Sequence, residues 1–222
     1  MTLERNARGL SLVELLVGLA LSLLIAAAAT ALLVDNLREN RKLLTDARVT
    51  QELRGAMDLM VREARRAGHW GAAATRSGTM SNPYAAIAPN AAASDAMALR
   101  YSQDDSSVVD NNTVDSAEQF GFRLRGGAIE AQLGERNWQA VTDATAMVIT
   151  RLRIEPHVES TELESACSLA CAGMPSCVGP RVQVRSLVIE VGARAANDAA
   201  ITRSARTTVR LRNDDVSAGC AV

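Results

Sequence analysis

The feature that most constrains this chain is one carboxylate, Glu14, inside an apolar run that extends from Leu10 to Val34 with no other charge. That run is about 25 residues long, and a helix crossing the ~30 Å hydrocarbon core of a bilayer needs roughly 20. A charged side chain in hydrocarbon costs roughly 2.5 to 3.5 kcal/mol on insertion scales, so an intramembrane carboxylate implies a function and a partner. Nothing else in the run supplies that partner.

An ordinary secretory signal has a basic start, an apolar core of roughly 7 to 15 residues and a small-residue cleavage site after that core. Here Arg5 and Arg8 form the basic start, but the small residue, Gly9, stands before the apolar core. Cleavage after Gly9 keeps the helix and makes Leu10 a new N-terminus, whose α-amine lies four residues from Glu14. An amine on one subunit then neutralises the carboxylate on the next. Orientation is not decided by loop charge, because Arg38, Arg41, Lys42 and Arg48 follow the span, against the usual cytoplasmic excess of Lys and Arg.

The order Arg5, Arg8, Gly9, then Leu10-Ser11-Leu12-Val13, then Glu14, resembles the type IV prepilin family. The resemblance implies that a membrane-bound prepilin peptidase cuts after Gly9 and methylates residue 10, and that the retained helix enters a pilus with major and minor pilins. Leu10 stands where the family often has Phe, a departure that bears on methylation more than on the cut. The bland alternative is a signal anchor with a stray Glu, whose leader stays attached. Residues Met57 to Gly71, reading MDLMVREARRAGHWG, also resemble the PilW-type minor pilins where their helix enters the globular domain. The implied location is the inner membrane, single-pass, with a periplasmic C-terminal domain that reaches the cell surface after assembly.

The expected organisation is a leader at 1–9, a transmembrane helix at 10–34, an amphipathic helix at 35–67 and a β-rich globular part at 68–222. Between Asp35 and Ala67 there is no Pro and only Gly55, and Leu53, Met57, Met60, Val61 and Ala64 recur at helical spacing. Asp58 and Arg62 stand at i,i+4, and Gly68 occupies the usual left-handed stop. His69 and Trp70 suggest a buried corner rather than a metal site, since no Cys, His or carboxylate flanks them closely. Residues 72–94, rich in Ala, Gly, Ser, Asn and Pro, predict a wrapping loop.

Strand signals follow. Phe120, Phe122 and Leu124 alternate with Gly121, Arg123 and Arg125, Gly126-Gly127 makes a two-residue turn, and Ile129, Ala131 and Leu133 resume the alternation. Val148, Leu152 and Ile154 predict one face of another strand, Val182 to Val191 is a β-branched run, and Thr207, Val209 and Leu211 alternate. One antiparallel sheet of about four or five strands, packed on the amphipathic part of the long helix, gives an α+β, pilin-like fold.

The whole chain has 24 Lys and Arg against 25 Asp and Glu; setting aside Arg5, Arg8, Glu4 and Glu14 leaves 22 against 23. No overall basic field therefore recruits nucleic acid or anionic lipid. The cysteines, Cys167, Cys171, Cys177 and Cys220, all follow the span; disulfides persist in an oxidising compartment, and four cysteines allow three pairings. A four-thiolate zinc site is the rival reading, disfavoured because Cys220 stands alone. Asp104, Asp105, Asp110, Asn111, Asn112 and Asp115 offer oxygen ligands for Ca²⁺ but lack the order of an EF-hand loop.

Arg123, Arg125, Arg151, Arg153, Arg206, Arg210 and Arg212 fall opposite the apolar residues of their strands. On neighbouring strands they would make one arginine-rich face, and like charges across strands are unfavourable. The anion over them is then intramolecular, with Glu130, Glu155 and Glu190 available, or an acidic face of a neighbouring pilin, or DNA. Catalytic signals are few: no nucleophile elbow, no phosphate loop, and only His69 and His157 as histidines. The expected role is a non-enzymatic minor pilin without a small-molecule substrate. The alternatives are a pseudopilin of a type II secretion system, or a pilus-associated DNA-binding or adhesion subunit.

Overall fold

A computed structural model describes residues 11–73, 82–103, 110–163 and 181–217. One helix, α1, runs Leu12–Arg66. It begins at a side-chain cap: the Ser11 hydroxyl accepts the Glu14 backbone N–H at 3.2 Å, and the Ser11 carbonyl accepts the Leu15 N–H at 3.1 Å. Ser at the cap with Glu three residues on is a strong local start signal, and a carboxylate in the first turn suits the helix dipole. The chain divides into two compact units, residues 1–45 and residues 46–222.

In the first unit, α1 buries nothing. Leu12, Leu16, Leu19, Leu23, Ile25 and Leu32 are all more than half exposed. This stretch is long and apolar enough to cross a membrane. Its two mid-span hydroxyls turn back on the helix, Ser22 donating to the Leu19 carbonyl at 2.9 Å and Thr30 to the Ala26 carbonyl at 2.7 Å. Neither of these two hydroxyls is thus left without an acceptor on the apolar surface.

In the second unit, the last turns of α1 bury Val49, Leu53, Ala56, Met57, Met60 and Ala64. The expected stripe is present, although Val61 is only half-buried, and Arg62 lies 3.6 Å from Glu63 rather than pairing with Asp58. Four strands, β1 (Ala96–Arg100), β2 (Gln119–Arg125), β3 (Ala128–Leu133) and β4 (Trp138–Ala140), form one antiparallel sheet in that order. Four more, β5 (Met147–Glu162), β6 (Arg181–Ala195), β7 (Thr202–Arg210) and β8 (Asp215–Ser217), form a second sheet, with β6 between β5 and β7 and also pairing β8. The architecture is α+β, with two sheets where one of four or five strands was expected. Met60, Phe122, Ile154 and Ile189 meet in one core that joins the helix to both sheets.

The β2–β3 hairpin has the predicted turn. Gly126 and Gly127 take φ of 59° and 78°, the paired left-handed conformation of a two-residue turn, and Phe122 pairs with Ala131. In β5 the predicted face is only partly right, because a bulge between Ile149 and Arg151 changes its phase. Met147 and Ile149 are buried before the bulge, and Leu152 and Ile154 after it, while Val148 is left half-buried. One extra residue against the partner strand reverses which side chains face inward.

Gly68, at φ 74°, ends α1 as expected, and its N–H donates to the Arg100 carbonyl at 2.8 Å. Two distant amides close the helix end: Asn213 donates to the Ala67 carbonyl at 2.9 Å, and Asn82 to the Gly68 carbonyl at 2.8 Å. The predicted buried corner at His69 and Trp70 is corrected here. His69 is exposed, and Trp70 is half-buried with its indole N–H on Asn112 Oδ1 at 2.8 Å.

Candidate functional site

Glu14 lies in the first turn of α1 on an exposed surface. Its backbone N–H is taken by Ser11, and its carboxylate has no partner among the described residues. Gly9 and Leu10 lie outside the described residues, as do Cys167, Cys171, Cys177 and Cys220.

The seven arginines of the expected face are divided. Arg123 and Arg125 stand on β2 in the first sheet; Arg151 and Arg153 on β5, Arg206 and Arg210 on β7, and Arg212 just beyond it belong to the second. Strand β6 separates the β5 and β7 groups and places Glu190 in register with both Arg153 and Arg206. Acids of the same chain meet most of the charge: Arg123 to Glu130 at 2.7 Å, Arg151 to Glu190 at 3.4 Å, Arg153 to Glu155 at 3.3 Å and Arg210 to Asp214 at 3.0 Å. Arg123 also stacks on the Trp138 ring at 3.9 Å. Arg125, Arg206 and Arg212 have no ion pair with a described residue, so no single continuous arginine face exists.

The acidic stretch takes a different form from a calcium loop. Buried Asp110 and Glu118 close on the Tyr84 hydroxyl, which lies 3.0 Å from Asp110 Oδ1 and 3.0 Å from Glu118 Oε2. One O–H donates to one of them at a time. Backbone donors complete the set, Asn112 N–H to Asp110 at 2.7 Å, Gln103 N–H and Asp115 N–H to Glu118 at 3.1 and 2.9 Å. Burial alone would raise the Asp110 carboxyl, but the Asn112 amide, the Tyr84 and Ser102 hydroxyls and the Ala72 amide outweigh it and hold its pKa below the usual range. Burial, then the two acids, push the Tyr84 phenol far above its ordinary value. Glu118, which no sequence signal singled out, is thus central, whereas Asn111 and Asp115 are exposed. Among the described residues, no group of three His, Cys, Asp or Glu is placed to hold a metal; Asp104 and Asp105 lie outside them.

Sequence reasoning also missed a basic recess beside the end of α1. Arg65, Arg66, His69 and Arg212 line it around a volume of about 330 Å³. Arg65 and Arg66 had been absorbed into the helix, and only the fold brings Arg212 to them.

Residues 5–30 match the prokaryotic N-terminal methylation motif, the segment that holds Gly9, Leu10 and Glu14. Residues 42–211 match prepilin peptidase-dependent protein B. No curated protein and no solved structure matches the chain. Proteins of the prepilin type are structural subunits that depend on the prepilin peptidase and are anchored by the N-terminal apolar helix. With most of its length covered by that family's pattern, this chain belongs to the prepilin peptidase-dependent protein B family of type IV prepilin-like proteins.

Proposed function

We propose that the chain is a minor pilin of the PilW type, cut after Gly9, held in the inner membrane by residues 10–34 with residues 68–222 in the periplasm, and then drawn into a type IV pilus. The observation that carries this reading is Glu14, a carboxylate without a partner among the described residues, on a helix whose apolar side chains are left uncovered. Pairing with the Leu10 amine of an adjoining subunit satisfies both charges in a lipid-like core. Gly18, Ser22 and Ala26, spaced by four, allow close helix approach. In the periplasm the four cysteines close as disulfides.

N-terminal mass analysis of protein recovered from membranes and from sheared pili tests the proposal. Leu10 at the N-terminus in both fractions supports it; an intact Met1 rejects processing, and absence from pili assigns the chain to a type II secreton. Glu14→Ala is expected to remain in the membrane but to lose at least tenfold in pilus incorporation. Undiminished incorporation would overturn the role given to Glu14.

A further inference from the structure

The recess at the end of α1 concentrates positive charge from segments far apart in sequence. Arg65 and Arg66 come from its last turn, His69 from the turn that follows, and Arg212 from the segment after β7. An adjoining hollow of about 360 Å³ shares Arg65 and Arg212 and adds Arg210. Among the described residues no carboxylate lines either hollow.

Two of these cations are already committed. Arg210 is paired with Asp214 at 3.0 Å, and Arg66 lies 3.7 Å from Glu63 and 4.2 Å over the Tyr101 ring. The Tyr101 hydroxyl in turn donates to Glu63 at 2.7 Å, so the Arg66 fork is held in place from below. Arg65 and Arg212 have no ion pair with a described residue. Basic residues at a helix C-terminus ordinarily answer its exposed carbonyls. Here the Asn213 and Asn82 amides already serve the Ala67 and Gly68 carbonyls, and no described residue engages the two guanidiniums in an ion pair.

We propose that this recess docks a carboxylate-bearing side-chain cluster on a second pilin-type subunit. The guanidinium fork matches a carboxylate with two parallel hydrogen bonds, and a held Arg66 that shares the recess with Arg65 and Arg212, neither of them ion-paired to a described residue, suits a compact acidic group. Nucleic acid fits less well. Its binding is built from many phosphate contacts and from exposed aromatic rings that stack on bases. This recess offers two guanidiniums that have no ion pair with a described residue, and among the described residues that line it there is no Phe, Tyr or Trp, Tyr101 being buried beneath Arg66. The identity of the partner as a pilin rests on the proposed function, whereas the binding chemistry does not.

The test uses the full chain in detergent micelles, following arginine side-chain N–H resonances during titration with a blocked Asp-Glu-Asp-Glu peptide, with inorganic phosphate and single-stranded DNA in parallel. Saturable shifts confined to Arg65, Arg66 and Arg212, weakened by salt and lowered at least tenfold in affinity by Arg65→Gln with Arg212→Gln, are expected. A flat titration, shifts that survive the double variant with the thermal midpoint unchanged, or tighter binding of DNA through the same arginines would overturn the proposal. So would peptide binding that appears only after Asp104→Asn with Asp105→Asn, which would mean that the chain's own acids occupy the recess. In cells, Arg65→Glu with Arg212→Glu should lose co-purification with sister pilins while cleavage at Gly9 continues. Failure of cleavage counts against the pilin reading, and retained co-purification with normal cleavage counts against the docking site.

Discussion

The two stretches of α1, one on each side of residue 45, share a helix geometry and a liking for Leu and Ala, yet they solve opposite problems. From Leu12 to Leu44 no residue is buried by the chain, and the apolar side chains lie on every face. From Asp46 to Arg66 a single stripe, Val49, Leu53, Ala56, Met60 and Ala64, is almost completely buried, and three of the polar residues beside it are paired across the domain. Asp46 meets Arg203 at 2.6 Å, Arg48 meets Asp143 at 2.9 Å, and Glu63 accepts from Tyr101. A one-sided stripe can be completed inside one chain, whereas an all-round apolar surface needs lipid or other subunits.

The largest expected effect breaks or keeps this contrast directly. Met60→Ala leaves a cavity in the core and should cost about 2 to 5 kcal/mol of domain stability, measured by denaturant unfolding through Trp70 and Trp138. Leu24→Ala should leave the same transition in place to within about 0.5 kcal/mol. Equal losses in the two variants would dissolve the distinction between the two stretches.

The second effect sharpens the account of what the domain protects. Tyr84→Phe removes the donor shared by Asp110 and Glu118 and should cost about 1 to 3 kcal/mol. Asp110 has a folded pKa below its unfolded value, so its stabilisation is present above roughly pH 3.9 and is lost as pH falls through the depressed folded value. Losing the phenol raises that folded value, and acid unfolding should begin at a higher pH in Tyr84→Phe. An unchanged acid midpoint would show that the hydroxyl does not hold Asp110 ionised.

The third is smaller. Asn213→Ala orphans the Ala67 carbonyl and should cost about 1 kcal/mol, visible as faster amide exchange in the last turn of α1. The smallest belongs to exposed Asp143, held below the carboxylate range by the Thr145 hydroxyl and amide more than by Arg48. Its depressed pKa also favours the fold above the unfolded value and fades in acid. Asp143→Asn should lower the neutral-pH midpoint slightly and leave the midpoint in strong acid where it was, so that the acid limb is a little flatter.

Much of this was legible before the fold. The Gly126-Gly127 turn and its flanking alternation, the helical stripe and the Gly68 stop are local signals, each resolved within a few residues. Strand β1 was hidden because Ala96–Arg100, reading AMALR, follows an Ala- and Ser-rich loop and lacks β-branched residues. The β5 bulge was hidden because no residue type announces it, and it shifted the phase at Val148. Among the candidate site residues, the apolar run and Glu14 stood out because a charge in hydrocarbon is conspicuous. The arginines misled because strand order, which no local pattern states, placed β6 and its Glu190 between β5 and β7. The Tyr84 cluster and the basic recess depend on the same long-range order.

The closure of α1 by Asn82 and Asn213 carries a consequence for how the protein matures. One of these amides, Asn213, lies 146 residues beyond the carbonyl that it serves, and the same residue gives buried Arg185 its own carbonyl at 3.1 Å. The membrane anchor can therefore be delivered early in synthesis, while the far end of the same helix stays unfinished until Asn213, 146 residues after Ala67, has been made. Such long loop closure slows folding, and a nascent subunit remains open to chaperones and proteases for that interval. A truncation before Asn213 should thus yield an anchored, protease-sensitive product rather than a slightly weakened subunit.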